Sequence, residues 1–201
     1  MNPDGHILTD FNEALQAFKQ KTITIGRLSQ KNLELSLQGL FERKTELCNK
    51  VIAEDEEIDQ LEIEIDEDGV TLMSQYRPFA SDLRLIIASM KITNVVERIA
   101  DHAVSIAKRS RKLLRNPELA ETVLIEPLYQ LANQMVCDAL IAYNDGNQEL
   151  ALQVIENDKQ LNELHSNATK RLTKCLESGA SGHKDYINLV FIARWLERVG
   201  D

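Results

Sequence analysis

The sequence contains two Glu/Asp pairs, and in each pair the two acids are four residues apart. The pairs stand in matching strings, one in the middle of the chain and one at its end. Glu97 and Asp101 lie in VVERIADHA, and Glu197 and Asp201 lie in WLERVGD. Matched positions are 100 residues apart, which indicates an internal duplication. Because helical residues four apart are neighbours, each pair can chelate or bridge one cation through oxygen. Oxygen donors favour magnesium, calcium, manganese or iron, and also allow zinc.

A single pair supplies too few ligands for tight binding, so neighbouring acids or waters must complete the coordination shell. Ten of the fifteen residues from position 54 to position 68 are acidic. If the helices that carry these residues lie side by side, Asp55, Asp59 and Asp82 are candidate auxiliary ligands. In the second copy, Asn162 and His165 stand where the first has Asp59 and Glu62, which predicts a weaker auxiliary site.

The alternative interpretation of the motif is purely structural. Glu97 can pair with Arg98 or Lys108, and Asp101 can simply be solvated. The acidic run can likewise be a solvated helix face. His102 adjoins Asp101 but lies about 100° round the helix, so we interpret it as a flanking residue. The exact repetition of the pair favours a metal-binding surface over these alternatives.

The elements that must position these residues are helices. Apolar residues at helical spacing predict an all-α fold with six helices, at about 10–43, 41–75, 81–114, 119–143, 148–177 and 184–201. Short connections make neighbours antiparallel, giving two tandem three-helix bundles over residues 1–115 and 118–201. The first motif helix continues about thirteen residues beyond Asp101, whereas the chain stops at Asp201. We therefore expect the second bundle to be truncated in its last helix.

A helical wheel predicts which way each motif faces. One apolar face of the third helix comprises Ile92, Val95, Val96, Ile99, Ala103 and Ile106. The carboxylates project from roughly the opposite side, onto an exterior or groove-facing surface. This placement argues against a buried catalytic site.

Composition restricts the function further. The chain of 201 residues has 43 % hydrophobic but only 5 % aromatic residues, which is typical of long helices. A net charge of −9 repels nucleic acid. The N-terminus lacks a basic segment followed by an apolar run, and no stretch approaches ~18 uninterrupted apolar residues. We therefore expect no signal peptide and no membrane span, and a cytoplasmic protein that meets membranes only through partners. The cysteines, Cys48, Cys137 and Cys175, lack a CxxC spacing, and we expect small buried hydrophobes.

Several strings in fixed order resemble the PhoU family of regulators of phosphate uptake. That family is built as two tandem three-helix bundles with a Glu/Asp-x-x-x-Asp motif in the third helix of each. The resembling strings are VERIADHA at 96–103, LERVGD at 196–201, RPFASDLR at 77–84 and VIAEDEEIDQLE at 51–62. Departures from the usual family pattern are Ala100 for Gly, Val96 for Leu and Ser105 for Asn.

The resemblance implies that Glu97, Asp101, Glu197 and Asp201 bind metal, with multinuclear iron clusters in some members. It implies a regulatory adaptor, not an enzyme, between the ATPase of a phosphate ABC transporter and a membrane sensor histidine kinase. Such an adaptor would repress phosphate uptake and the phosphate-starvation response when phosphate is plentiful. We also expect a homodimer. The alternatives are a carboxylate-bridged di-metal enzyme, for which the Glu-x-x-His ligand pattern is missing, and a bundle that only scaffolds an oligomer.

Overall fold

The structure, a computed structural model, describes residues 3–177 and 182–201, with side chains from Thr9 onward. It contains helices α1 (Pro3–Phe41), α2 (Thr45–Ala53), α3 (Asp55–Tyr76), α4 (Ser81–Leu113), α5 (Ile125–Asp145), α6 (Gln148–Glu177) and α7 (His183–Gly200). A short 3-10 helix, Ala120–Leu124, precedes α5. Helices α1 to α4 form one bundle, in which α2 and α3 together make the middle leg, and α5 to α7 form the second. The predicted pair of tandem three-helix bundles is confirmed.

The prediction of one continuous helix over 41–75 was wrong, because the chain is interrupted at Glu54 between α2 and α3. The interruption has an electrostatic benefit. It places Asp55, Glu56 and Glu57 in the first turn of α3, where the helix dipole favours negative charge. In an unbroken helix the same carboxylates would repel one another without that compensation.

Helix α4 is buried on a wider face than the helical wheel predicted, because it packs against its own bundle and against α7. Ala100, inside the first motif, is 1 % exposed, so a small residue is needed there. Val95 was expected to face inward, and this was wrong: its side chain is 56 % exposed. Five of the six predicted apolar positions are nevertheless buried or half-buried.

The two repeats pack through equivalent helices. Between α1 and α5, Lys19 Nζ donates to the carbonyl of Asn144 at 2.7 Å, and Gln30 Nε2 donates to Asn133 Oδ1 at 3.3 Å. Residue numbers rise along one helix as they fall along the other, so the pair is antiparallel. Helices α4 and α7 pair in the same sense: Arg109 donates to Asn188 Oδ1 at 2.9 Å, and the charge of Arg198 acts on His102. Antiparallel pairing of equivalent helices relates the repeats by an approximate two-fold rotation.

Gly26 allows the close approach of α1 and α5, because a Cβ atom there would overlap Leu140 Cδ2. We expect Gly26→Val to lower the free energy of unfolding by about 1 kcal/mol through overpacking. Combining it with Leu140→Ala should cost less than the sum of the two single changes. Urea denaturation of the four proteins measures this coupling. Strict additivity would show that Leu140 does not limit the residue at position 26.

Candidate functional site

The first motif faces the acidic run across the interface between α3 and α4. The helices are antiparallel and close: a Cβ atom on Gly69 would lie 2.7 Å from Met90 Sδ. The facing groups are the carboxylates of Asp55, Asp59 and Glu62 on α3 and of Glu97 and Asp101 on α4, and they act on one another electrostatically. We call these five residues the acidic groove. It brings together the predicted pair and two of its three predicted auxiliary ligands.

Among the groove residues, Glu97 has the most strongly shifted pKa. Burial raises the pKa of its carboxyl to about 7, and the negative charge of Asp101 adds to the effect, followed by smaller contributions from Asp59, Glu62 and Asp55. Glu97 is half-buried, while Asp101 is exposed. A carboxylate held against four others at neutral pH is a group that a cation would stabilise.

The pKa values of Asp55 and Glu62, on α3, are also raised. Burial, then Asp59 and Asp101, raise the pKa of Asp55, and the nearby Lys108 opposes them. Burial, then Asp66 and Asp59, raise the pKa of Glu62. Lys108 therefore lies on the carboxylate side of α4, but it does not neutralise the groove.

Oδ1 of Asp55 in the groove is buried and lacks a partner, as does Oδ1 of Asp66, which lies one turn beyond Glu62 on α3. None of the ion pairs found in residues 3–177 and 182–201 involves the groove; Lys21, for example, pairs with Asp68 at 2.7 Å instead. Orphaned buried oxygens among uncompensated carboxylates suit a hard cation. Within the described residues no three His, Cys, Asp or Glu side chains already converge on one point, so binding requires the carboxylates to turn inward.

Asp82 does not join the groove, and that suggestion was wrong. It lies in the first turn of α4, fifteen residues before Glu97, which corresponds to about 22 Å along the helix axis. Its carboxylate Oδ1 accepts a hydrogen bond from Ser81 Oγ at 3.3 Å. The third auxiliary carboxylate is that of Glu62, which lies one turn from Asp59 on the face of α3 that meets α4.

The second motif lies in the equivalent place between α6 and α7. Asp158 and Asp201 line one cavity of about 590 Å³. Oδ1 of Asp158 is buried and has no partner, while its Oδ2 accepts a hydrogen bond from Asn162 at 3.0 Å. Asp158 follows Asp55 by 103 residues, the offset of the middle-helix strings. Asp158 is not part of either carboxylate pair, and in the sequence only this offset identifies it as a site residue.

Four other residues singled out in the sequence lie outside the acidic groove. His102 is half-buried, and burial, with the positive charges of Arg98 and Arg198, lowers its pKa. It thus lies where α4 meets α7, which agrees with a flanking role. Cys48 is buried, and burial raises the pKa of its thiol to about 11. Cys137 and Cys175 are only half-buried, so the expectation of buried cysteines was correct for Cys48 alone.

Fold and site together define a class: a duplicated three-helix-bundle protein that carries one carboxylate-rich helix pair in each repeat. No helix in the described residues is long and apolar enough to cross a membrane. The sequence model of the PhoU domain matches residues 22–110 and 125–201. The chain belongs to the PhoU family.

Individual relatives agree over nearly the whole chain. The "Phosphate-specific transport system accessory protein PhoU homolog" of Zymomonas mobilis is 32 % identical over 197 residues, covering 98 % of this chain and 83 % of that protein. PhoU of Escherichia coli K12, a phosphate-specific transport system accessory protein, is 25 % identical over 201 residues, covering 100 % and 83 %. The crystal structure of PhoU from Pseudomonas aeruginosa matches with a TM-score of 0.92 at 30 % identity, covering 95 % of this chain and 92 % of that chain.

Proposed function

We propose that this protein is a cytoplasmic, metal-binding accessory protein of a phosphate-specific transport system that represses phosphate uptake and the phosphate-starvation response. The observation that carries the metal site is the acidic groove, whose carboxylates face one another with only Lys108 opposing them in part. The names of its relatives support the link to phosphate transport. The repressing direction follows from the family resemblance.

The residues of the groove would hold an iron, manganese, magnesium or zinc ion between α3 and α4. Glu97 and Asp101 supply oxygens from α4, and Asp55 and Asp59 supply them from α3. A metal ion there removes the repulsion between the helices and fixes their relative position. The outer surfaces of the bundle then present a defined shape to a partner.

The partners that we propose are the ATPase of a phosphate ABC transporter and a membrane sensor histidine kinase, met by a homodimer. We propose no enzymatic reaction for this protein. A carboxylate-bridged oxidase needs Glu-x-x-His in its ligand set. None of the four histidines has Glu three positions earlier, since Pro3, Ile99, Asn162 and Ala180 stand there.

The function is tested by replacing the chromosomal copy with the double variant Glu97→Gln, Asp101→Asn. We expect phosphate uptake to stay high in phosphate-rich medium, because the helices are no longer fixed by metal. The control is Glu67→Gln with Asp82→Asn, which removes one carboxylate charge from each of the same helices outside the groove and should keep repression.

A pull-down with the wild-type protein should recover a phosphate-transporter ATPase or a sensor histidine kinase. The proposal fails if neither is recovered and a deletion strain takes up phosphate as the wild type does. Recovery of a partner by the double variant with repression intact would separate the adaptor role from the metal.

A further inference from the structure

The two acidic sites share a backbone arrangement but differ in their donor atoms. In the first repeat, all five groove residues offer carboxylate oxygens. In the second repeat, Asn162 and His165 occupy the positions of Asp59 and Glu62, 103 residues later. Three carboxylates remain there, on Asp158, Glu197 and Asp201.

The packing of α6 on α7 places the substituted positions at the second motif. A Cβ atom on Gly200 would overlap Leu161 Cδ2, so the helices touch between the motif's two acids. Glu62 of the first repeat is close enough to raise the pKa of Glu97. With α6 and α7 antiparallel, as α3 and α4 are, the contact of Leu161 with Gly200 and the repeat offsets of 103 and 100 place His165 at the level of Glu197. His165 is half-buried.

Asn162 has a positioning role in this site. Its amide nitrogen donates to Oδ2 of Asp158 and leaves Oδ1 of the same carboxylate buried without a partner. Hydrogen bonds of this kind orient a ligand oxygen and tune its affinity. The imidazole of His165 adds a nitrogen donor, which carboxylate-only sites lack.

Building on the proposed metal-binding function, we propose that the two sites select different ions. The acidic groove takes a hard ion such as manganese through oxygen alone. The second site takes zinc, with His165 as the nitrogen ligand beside Asp158, Glu197 and Asp201. Imidazole suits zinc, whereas carboxylate and water suit manganese and magnesium.

The experiment uses two variants of the full chain, each with one motif removed. Glu97→Gln with Asp101→Asn leaves the second site, and Glu197→Gln with Asp201→Asn leaves the first. Each protein is dialysed against mixtures of Zn²⁺ and Mn²⁺, and bound metal is measured by elemental analysis. We expect a zinc-to-manganese ratio at least tenfold higher for the second site, the scale on which even outer-shell groups change metal affinity.

His165→Glu, introduced beside the removed first motif, should abolish most of that difference, because it restores the first repeat's donor type. His183→Gln is the matched control, since His183 is exposed at the start of α7 and outside the site. Circular dichroism confirms that both variants are folded. In the parent protein, the imidazole ¹⁵N resonances of His165 should shift on adding Zn²⁺.

The outcomes separate this inference from the function on which it rests. Failure of both sites to bind Zn²⁺ or Mn²⁺ would overturn the metal-binding function and this inference together. Binding at both sites with equal zinc-to-manganese ratios overturns the selectivity alone. Zinc binding at the second site with unmoved His165 resonances overturns the assigned ligand.

Discussion

At pH 8 and without metal ions, the Glu97→Gln variant should be more stable than the wild type. The pKa of Glu97, about 7, lies above that of an exposed carboxyl, so the folded state prefers the protonated form. Stability contributed by this group is therefore lost as the pH rises from about 4.5 to 7. The full shift would correspond to about 3 kcal/mol, and solvent screening at the half-buried side chain reduces our expectation to about 1–2 kcal/mol.

Urea denaturation in chelator at pH 5 and pH 8 measures the effect. The gain in free energy of unfolding should be large at pH 8 and mostly absent at pH 5, where Glu97 is protonated in the folded protein. Glu197→Gln is the matched control, because the equivalent positions opposite it carry Asn162 and His165 instead of two acids. Equal gains for both variants at pH 8, or no gain for Glu97→Gln, would contradict the proposed repulsion in the groove.

The fold was largely predictable because it depends on periodicity, which the sequence shows directly. Heptad positions such as Ile58, Ile65 and Leu72 are buried as a bundle core requires. The interruption at Glu54 was not predictable from breakers, since no Gly or Pro stands there. The exposure of Val95 was missed because a helical wheel does not show where packing ends: Val95 lines a solvent-exposed cavity together with Ile92 and Ile155. The proposed domain limits of 1–115 and 118–201 remain predictions.

For the site, the sequence predicts which residues share one face of a helix, but not which residues meet across two helices. Spacing placed Glu97 and Asp101 on one face, but which acids of the neighbouring helix meet them depends on the antiparallel register. That register selects Asp55, Asp59 and Glu62 and leaves Asp82 at the other end of α4. The repeat offset carried the missing information for Asp158. Whether Glu97, Asp101, Glu197 and Asp201 bind metal remains a prediction.

The crowded carboxylates of the groove lower the stability of the apo protein and, for the same reason, raise its affinity for metal. Burial and crowding raise the pKa of Glu97, and a cation that replaces the proton relieves both at once. Protons and metal therefore compete for one set of oxygens. We expect affinity for metal to fall as the pH drops below about 7, where Glu97 takes up its proton.

Metal ions should have the largest effect on stability. Manganese at 100 times its dissociation constant for the acidic groove should raise the free energy of unfolding of the chelator-treated wild type by about 2.7 kcal/mol, because the unfolded chain has no assembled groove. The double variant Glu97→Gln, Asp101→Asn should lose the contribution of the first site. Elemental analysis after chelator exchange should show a correspondingly lower metal content.

The charge-matched control for this experiment is again Glu67→Gln with Asp82→Asn, which should bind and respond as the wild type does. A general screening effect of added salt would stabilise both double variants equally, and sodium chloride at matched ionic strength reveals it. Unchanged metal content in the groove variant would remove Glu97 and Asp101 from the ligand set. In that case no ion would offset the repulsion between the carboxylates of the groove. Neutralising any one of these carboxylates would then have to raise the free energy of unfolding of the protein.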